Sequence, residues 1–269
     1  MADSLQLANG LVAVEGPNDG TLTIRFTRPE KLNALIEPMR QTLADILESL
    51  ADREDVRACI ITGSGRGFCA GGDIQVMRGL IEERRHEEVH RFLDLGARVV
   101  TTIRALPIPV IAAVNGAAAG AGLNLALACD YRIASDRATF GETFVNIGLH
   151  SDWGGAYLLP ALVGSSRALE LLWTGRVVDA AEAERLGMVD RVVPHEHLAE
   201  TALTFAHALC ERPRDVLALS KRSVYESQRH GLEHGLRMEK EAQTRCLEDN
   251  IASDLMREFL TKRGRKVEA

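Results

Sequence analysis

Two glycine-rich segments hold the residues whose types and spacing suggest chemistry. They are Gly67-Phe68-Cys69-Ala70-Gly71-Gly72-Asp73-Ile74 and Asn115-Gly116-Ala117-Ala118-Ala119-Gly120-Ala121-Gly122-Leu123-Asn124. Each follows an apolar, strand-like run, Ala58–Thr62 and Val110–Val114, and each leads into helix-forming sequence. A strand that ends in glycines leaves backbone N–H groups unhindered by side chains and free to point at a bound oxygen. If the second segment opens a helix, the positive end of that helix adds to the effect. A developing enolate needs two such donors. Taken singly, either segment is an ordinary β-α turn; the pair in one chain is what points to an oxyanion site.

A carboxylate able to move a proton is the natural companion of such donors. Asp152 stands in Ile147-Gly148-Leu149-His150-Ser151-Asp152-Trp153-Gly154-Gly155. It reads either as a catalytic acid or as the N-cap of a helix beginning at Trp153. Burial beside Trp153 and Phe144 would disfavour its ionised form and bring its pKa closer to neutrality. Glu142, two residues before Phe144, reads as a surface carboxylate. His150 is either a proton carrier at neutral pH or an exposed loop histidine. His86 and His90 sit four residues apart among Glu82, Glu83, Glu87 and Glu88, the pattern of a solvated charged helix, and no histidine or cysteine spacing suggests a metal.

The elements that must position these residues alternate along the chain. Leu11–Val14 and Thr21–Phe26 flank Pro17-Asn18-Asp19-Gly20, a hairpin signal, and Leu22, Ile24 and Phe26 share one face. Met39, Leu43, Ile46, Leu47 and Leu50 form one stripe of a helix over residues 37–53. Short strands then alternate with helices at residues 57–62, 110–115, 131–134 and 188–193, which predicts an α/β fold. After Pro194 only helical periodicity remains, over 198–211, 216–229, 232–247 and 251–262. The reading divides the chain into a core, residues 1–195, and a helical region, residues 196–269.

The chain of 269 residues, with 46% hydrophobic and 26% charged residues, is long enough to bury a substantial core. A net charge of −6 argues against a general nucleic-acid surface but leaves room for a local basic patch. Cys59, Cys69, Cys129, Cys210 and Cys246 form no C-x-x-C pair, which fits a reducing cytosol. No signal peptide is visible, and residues 105–129 suit a buried strand-loop-helix unit better than a membrane span. A soluble, cytoplasmic protein is expected.

The two loops, taken with other segments, resemble the enoyl-CoA hydratase/isomerase (crotonase) superfamily nearly end to end. Arg28-Pro29-Glu30-Lys31-Leu32-Asn33-Ala34-Leu35 is similar to its RP-x-x-x-NAL segment, and the loops match F-x-A-G-x-D-[IL] and A-x-N-G-x-A-x-G-x-G. Cys129-Asp130 closes the following helix, Ala183–Val189 resembles A-x-x-x-GLV, and Phe259–Arg263 resembles FLEKR. The Asp152 segment and residues 118–130 are most similar to 1,2-epoxyphenylacetyl-CoA isomerases, and Δ3,Δ2-enoyl-CoA isomerases carry a Glu at the place of Asp152.

This resemblance implies a spiral of ββα units and a C-terminal helical region that makes trimer contacts, giving a homotrimer or a dimer of trimers. It implies an acyl-CoA thioester held by the N–H groups of Ala70 and Ala121, with Asp152 moving the proton and no cofactor beyond the CoA moiety. Hydratases of the family carry two glutamates, and here those positions are Asn124 and Phe144. CoA and substrate contacts are expected from Lys31, Leu32, Gly71, Gly72, Asp73, Ile74, Gly122, Asn124, Phe144 and Trp153, with Phe259 and Lys262 contributing from a neighbouring subunit. Neither a nucleic acid nor a membrane is expected as a partner. An acyl-CoA isomerase leads; the alternatives are a 2-enoyl-CoA hydratase with a non-standard acid/base set and a catalytically silent CoA-binding homologue.

Overall fold

The computed structural model describes residues 6–8, 10–248 and 250–262. Strands β1 (Gln6–Ala8), β2 (Val12–Asn18) and β3 (Thr21–Phe26) form an antiparallel meander, and the expected hairpin is the β2–β3 pair. Helix α1 (Glu37–Ser49) follows, and then three ββα units. These are β4 (Ala58–Gly63), β5 (Gly67–Cys69) and α2 (Ile74–Glu82); β6 (Val110–Val114), β7 (Ala117–Ala119) and α4 (Ala121–Ala128); and β8 (Tyr131–Ser135), β9 (Thr139–Gly141) and α5 (Gly155–Val163). Helix α3 (His86–Ala105) links the first unit to the second. Helix α6 (Ser165–Thr174), β10 (Val177–Asp179), α7 (Ala180–Leu186), β11 (Arg191–Val193) and α8 (Leu198–Cys210) complete this part of the chain.

The first strand of each unit enters a seven-stranded sheet of order β1-β2-β3-β4-β6-β8-β11, and the second enters a four-stranded sheet of order β10-β9-β7-β5. From β3 to β11 the large sheet is parallel, and its central strands β4 and β6 are buried along their whole length and read as near-continuous apolar runs. The period-2 alternation of β4 and β6 sorts their side chains accordingly. Cys59, Ile61, Val110 and Ala112 join the main core with α1 and α3, while Ala58, Ile60, Ile111 and Ala113 face the other way.

Leu198, Ala202 and Ala206 of α8, spaced at successive helical turns, cover that second face together with Ile133 and Val193. The compact unit therefore runs to Cys210, and a second unit begins at Glu211. This moves the boundary expected at 195/196, because α8 is part of the sheet's packing and not of the helical tail. The second unit contains α9 (Arg214–His230), α10 (Leu232–Glu248) and α11 (Asn250–Lys262). Among the described residues no helix is long and apolar enough to cross a membrane.

The segment between β3 and α1 is pinned to the first glycine loop by Asn33. This residue is fully buried with φ of 58°, a left-handed conformation that asparagine tolerates better than most residues. Its Oδ1 accepts from Arg28 N at 2.9 Å, and its Nδ2 donates to the carbonyls of Ser64 at 3.0 Å and Gly67 at 2.8 Å. Asn33→Ala removes all three bonds, leaving the buried Gly67 carbonyl with Asn115 Nδ2 alone at 3.1 Å, for an expected destabilisation of about 1–3 kcal/mol. Urea unfolding followed through Trp153 and Trp173 fluorescence measures it. A change of a few tenths of a kcal/mol would show that these bonds do not hold the loop.

Candidate active site

The pairing of β5 with β7 sets the two glycine loops side by side, with Gly67 opposite Ala117 and Cys69 opposite Ala118. The backbones touch. A Cβ at Gly122 would stand 1.9 Å from the Cys69 carbonyl oxygen, and one at Gly71 (φ +86°) would stand 2.7 Å from the Ala119 oxygen and 3.4 Å from the Ala121 nitrogen. Ala121 is the first residue of α4, so its N–H has no intrahelical acceptor. Gly120, at φ 51° and ψ −124°, makes the turn into that helix.

The first loop corrects the expectation for Ala70. Its N–H donates to the Leu32 carbonyl at 3.0 Å and is spent on joining the loop to the segment before α1. Leu35 N donates to Gly71 O and Asp73 N to Leu35 O, which leaves the N–H of Gly72 between them. Gly72 is the half-buried residue of this loop that has an N–H uncommitted to a backbone acceptor among the described residues. The double glycine is the sequence signal for such an uncommitted N–H, and that N–H falls two residues after Ala70.

A polar cluster lies against α4. Asn124, fully buried, donates from Nδ2 to the Asp152 carbonyl at 2.8 Å and to Ser151 Oγ at 3.2 Å. Ser151 Oγ in turn donates to Glu142 Oε2 at 3.2 Å. Oδ1 of Asn124, Oδ1 of Asp152, Oε1 of Glu142 and Nε1 of Trp153 are buried and make no hydrogen bond. Native interiors keep few such atoms, so several together mark a functional region.

Both carboxyls are shifted. Burial pushes Glu142 up to about 7, opposed by the Ser151 hydroxyl and reinforced by the neighbouring Asp152. Burial also raises Asp152, opposed by the positive charge of Arg40 and by His150. Glu142 is 2% exposed, which overturns its reading as a surface carboxylate. Asp152 does not cap a helix: α5 begins at Gly155, and its N-cap, Gly154, contributes no side-chain bond. His150 is exposed, with Nδ1 against the Ser151 carbonyl. Cys69 is wholly buried and its thiol is pushed up to about 12, so it is no nucleophile at neutral pH.

The remaining expected residues divide between the site and its supports. Phe144 closes over Gly120, where a Cβ would meet its ring at 3.4 Å, and Trp153 (φ 50°) is buried against Gly96 of α3. Phe144, Glu142, Leu149, Ser151, Leu172 and Trp173 help line a cavity of about 480 Å³. Asp73 is committed elsewhere: it caps α2 through Gln75 N and pairs with Arg28 at 2.8 Å. Burial alone would raise its carboxyl, but the Arg28 bond and the backbone donors outweigh it and hold the group low. Ile74 and Lys31 are exposed, and Leu32 is half-buried with φ of 48°. Phe259 is exposed on α11, and the Lys262 side chain lies outside the described residues. Among the described residues no group of three His, Cys, Asp or Glu side chains could hold a metal ion.

Comparison with known proteins agrees with this geometry. The family profile described as enoyl-CoA hydratase/isomerase matches residues 16–268. The chain is 40% identical over 219 residues to a probable enoyl-CoA hydratase of Mycobacterium tuberculosis, covering 80% of this chain and 77% of that protein. It is 36% identical over 252 residues to the 1,2-epoxyphenylacetyl-CoA isomerase of Escherichia coli, covering 91% and 94%. The crystal structure of an enoyl-CoA hydratase from Bacillus anthracis superposes with a TM-score of 0.87 at 32% identity, over 96% of this chain and 98% of that one.

The buried Glu142 has a consequence for stability. Its folded pKa, about 7 against an ordinary 4.5, means that the folded state favours the protonated form by on the order of 3 kcal/mol. That contribution is present below about 4.5 and is lost as pH rises through about 7. Glu142→Gln cannot ionise, so its unfolding free energy should gain on the wild type across this window. Chemical denaturation at a series of pH values gives the difference between the two proteins. A difference independent of pH would mean that this carboxyl titrates as it does in water.

Proposed function

The chain belongs to the enoyl-CoA hydratase/isomerase family, and from that premise we propose that it isomerises an acyl-CoA thioester, with Asp152 as the proton carrier. The thioester carbonyl oxygen accepts from the N–H groups of Gly72 and Ala121. The Asp152 carboxylate takes a proton from the α-carbon of a 3-enoyl thioester. The C–H electron pair passes onto the carbonyl oxygen, and the two donors stabilise the enolate. The resulting carboxylic acid returns the proton at the γ-carbon, and the double bond moves into conjugation with the carbonyl. Loss of one donor of this kind typically costs on the order of 3 kcal/mol in barrier height. Lys31 and the backbone of the first loop serve the CoA moiety.

The observation that carries this reading is the state of Asp152, whose raised carboxyl has an unpaired buried oxygen and no structural duty as a cap. Asn124 and Phe144, at the hydratase positions, are respectively an amide bonded to the Asp152 loop and a phenyl ring, and neither can relay a proton. Glu142 favours a second reading: with Asp152 it makes a pair of buried carboxyls, which a hydratase could use to position and deprotonate water.

Two assays separate the readings. Asp152→Asn should lower 3-enoyl-CoA isomerisation by about two orders of magnitude or more while CoA binding stays near wild type, because a proton carrier is lost and volume is kept. Full turnover in that variant would sink the isomerase assignment. Crotonyl-CoA hydration by the wild type, abolished by Glu142→Gln, would instead establish the two-carboxylate hydratase.

Assembly from several copies completes the proposal. Trp173 is 71% exposed and lines the same cavity as Val145, itself 42% exposed, an apolar surface of the kind that partner subunits cover. Light scattering on the eluting protein should give three or six times the chain mass of 29.4 kDa. A monomeric mass would overturn this part.

A further inference from the structure

Arg40 is an unusual residue for its place. It is 0% exposed on a face of α1 whose other buried side chains include Met39, Leu43, Ala44 and Leu47. Two other buried charges have close partners: Arg132 meets Asp190 at 2.6 Å, and Asp73 meets Arg28 at 2.8 Å. Arg40 has none at ion-pair distance among the described residues. Its Nη1 donates to the Phe92 carbonyl at 2.9 Å, and its Nε has no partner. The guanidinium carbon lies over aromatic rings, 3.0 Å from the Phe92 centroid and 5.4 Å from that of Trp153. Cation–π contact offsets part of the cost of burying a cation without a counter-ion, but a hydrophobic residue would avoid that cost altogether.

The position of the charge supplies a reason for it. A Cβ at Gly72 would stand 3.3 Å from Arg40 Nη2, so the cation sits in contact with the residue that carries the first donor. On its other side the guanidinium is next to Trp153, the residue that follows Asp152, and the charges it feels are those of Asp152 and Cys69. Since the Cys69 thiol stays neutral, Asp152 is the anion it serves. Burial pulls the guanidinium down to about 9, which still leaves it cationic at neutral pH.

We propose that Arg40 is a positioning residue that supplies the fixed positive charge of the site, favouring Asp152 as the ionised base and reinforcing the Gly72 donor where negative charge develops. It rests on the reading of Asp152 as the proton carrier, and acts through Asp152 and Gly72 without touching substrate. The groups facing Asp152 are Arg40 from α1, Glu142 from the end of β9 and His150 from its own loop. The Asp152 charge opposes ionisation of Glu142, and Arg40 favours ionised Asp152. Their balance sets the acidic limb of the pH–rate profile.

The test compares Arg40→Gln, which loses the charge and keeps a donor for the Phe92 carbonyl, with the wild type. The acidic limb of kcat/KM should move to higher pH by about one unit, the usual effect of an opposite charge on a nearby carboxylate, while KM changes little. A folded Arg40→Gln enzyme with an unmoved limb overturns the inference, since a purely structural role would lower stability and leave the limb in place. Carbon-13 NMR of the wild-type carboxyls needs no variant: Asp152 should titrate below Glu142, because Arg40 faces Asp152, and the reverse order overturns the proposal. Asp152→Asn keeps the two readings apart. If that variant is inactive and the Arg40→Gln limb is unmoved, the Arg40 inference alone fails; if it turns over fully, the isomerase reading fails first.

Discussion

Everything in the site depends on the close approach of two backbones, the strand pair β5–β7 and the loops that continue it. Gly122 lies against the Cys69 carbonyl so tightly that no side chain fits, and Gly71 lies against the Ala119 carbonyl in a left-handed conformation. Those contacts bring the Gly72 loop to the start of α4, so that two N–H groups from distant parts of the chain share one region. The large sheet supplies the rigidity. β4 and β6 lie side by side in it, each buried on both faces, and each feeds one loop. Backbone donors held this way need no reorganisation when charge develops on a bound oxygen, which is the source of their catalytic value.

The same burial that orders the loops sets the electrostatics around them. Glu142 and Asp152 both lose solvation, yet Arg40 faces one and not the other. Glu142 is therefore the carboxyl raised to about 7, and Asp152 is held lower by a cation that is itself costly to bury. Two carboxyls whose environments push them apart are the usual basis for distinct acid and base roles. The cost appears in folding: a buried carboxyl that ionises near neutrality and a buried guanidinium both favour unfolding over the alternative of an apolar core.

Much of this was legible in the sequence, and the failures share a cause. The strands β4, β6 and β8, the last strand before Pro194 and the four closing helices follow from local periodicity and appear within a few residues of their expected bounds. The two loops were legible because glycine spacing encodes backbone geometry directly. Three things were not. Ala70 could not be told from Gly72, because the acceptor that engages it, the Leu32 carbonyl, is remote in sequence. Glu142 looked exposed in an alternating polar stretch, and only the packing of Ser151 and Asn124 against it shows otherwise. Arg40 falls at helical spacing with the buried Leu43, Ala44 and Leu47, yet a lone arginine there gives no sign of its burial; Phe92 and Trp153, which cover it, come from other elements.

Asn124 shows how the acid and the donor are kept in register. It stands three residues after Ala121 on α4, less than one turn of helix, so its amide and the Ala121 N–H belong to one rigid element. The amide is bonded to the Asp152 carbonyl and to Ser151, which ties the loop carrying the acid to the helix carrying the donor. A carboxylate at this position would face the Asp152 carbonyl oxygen and could not make that bond unless protonated. An amide at this position therefore holds the Asp152 loop against α4, which an ionised carboxylate could not do. Helix α4 is buried along its whole length, so it can neither tilt nor slide to separate them.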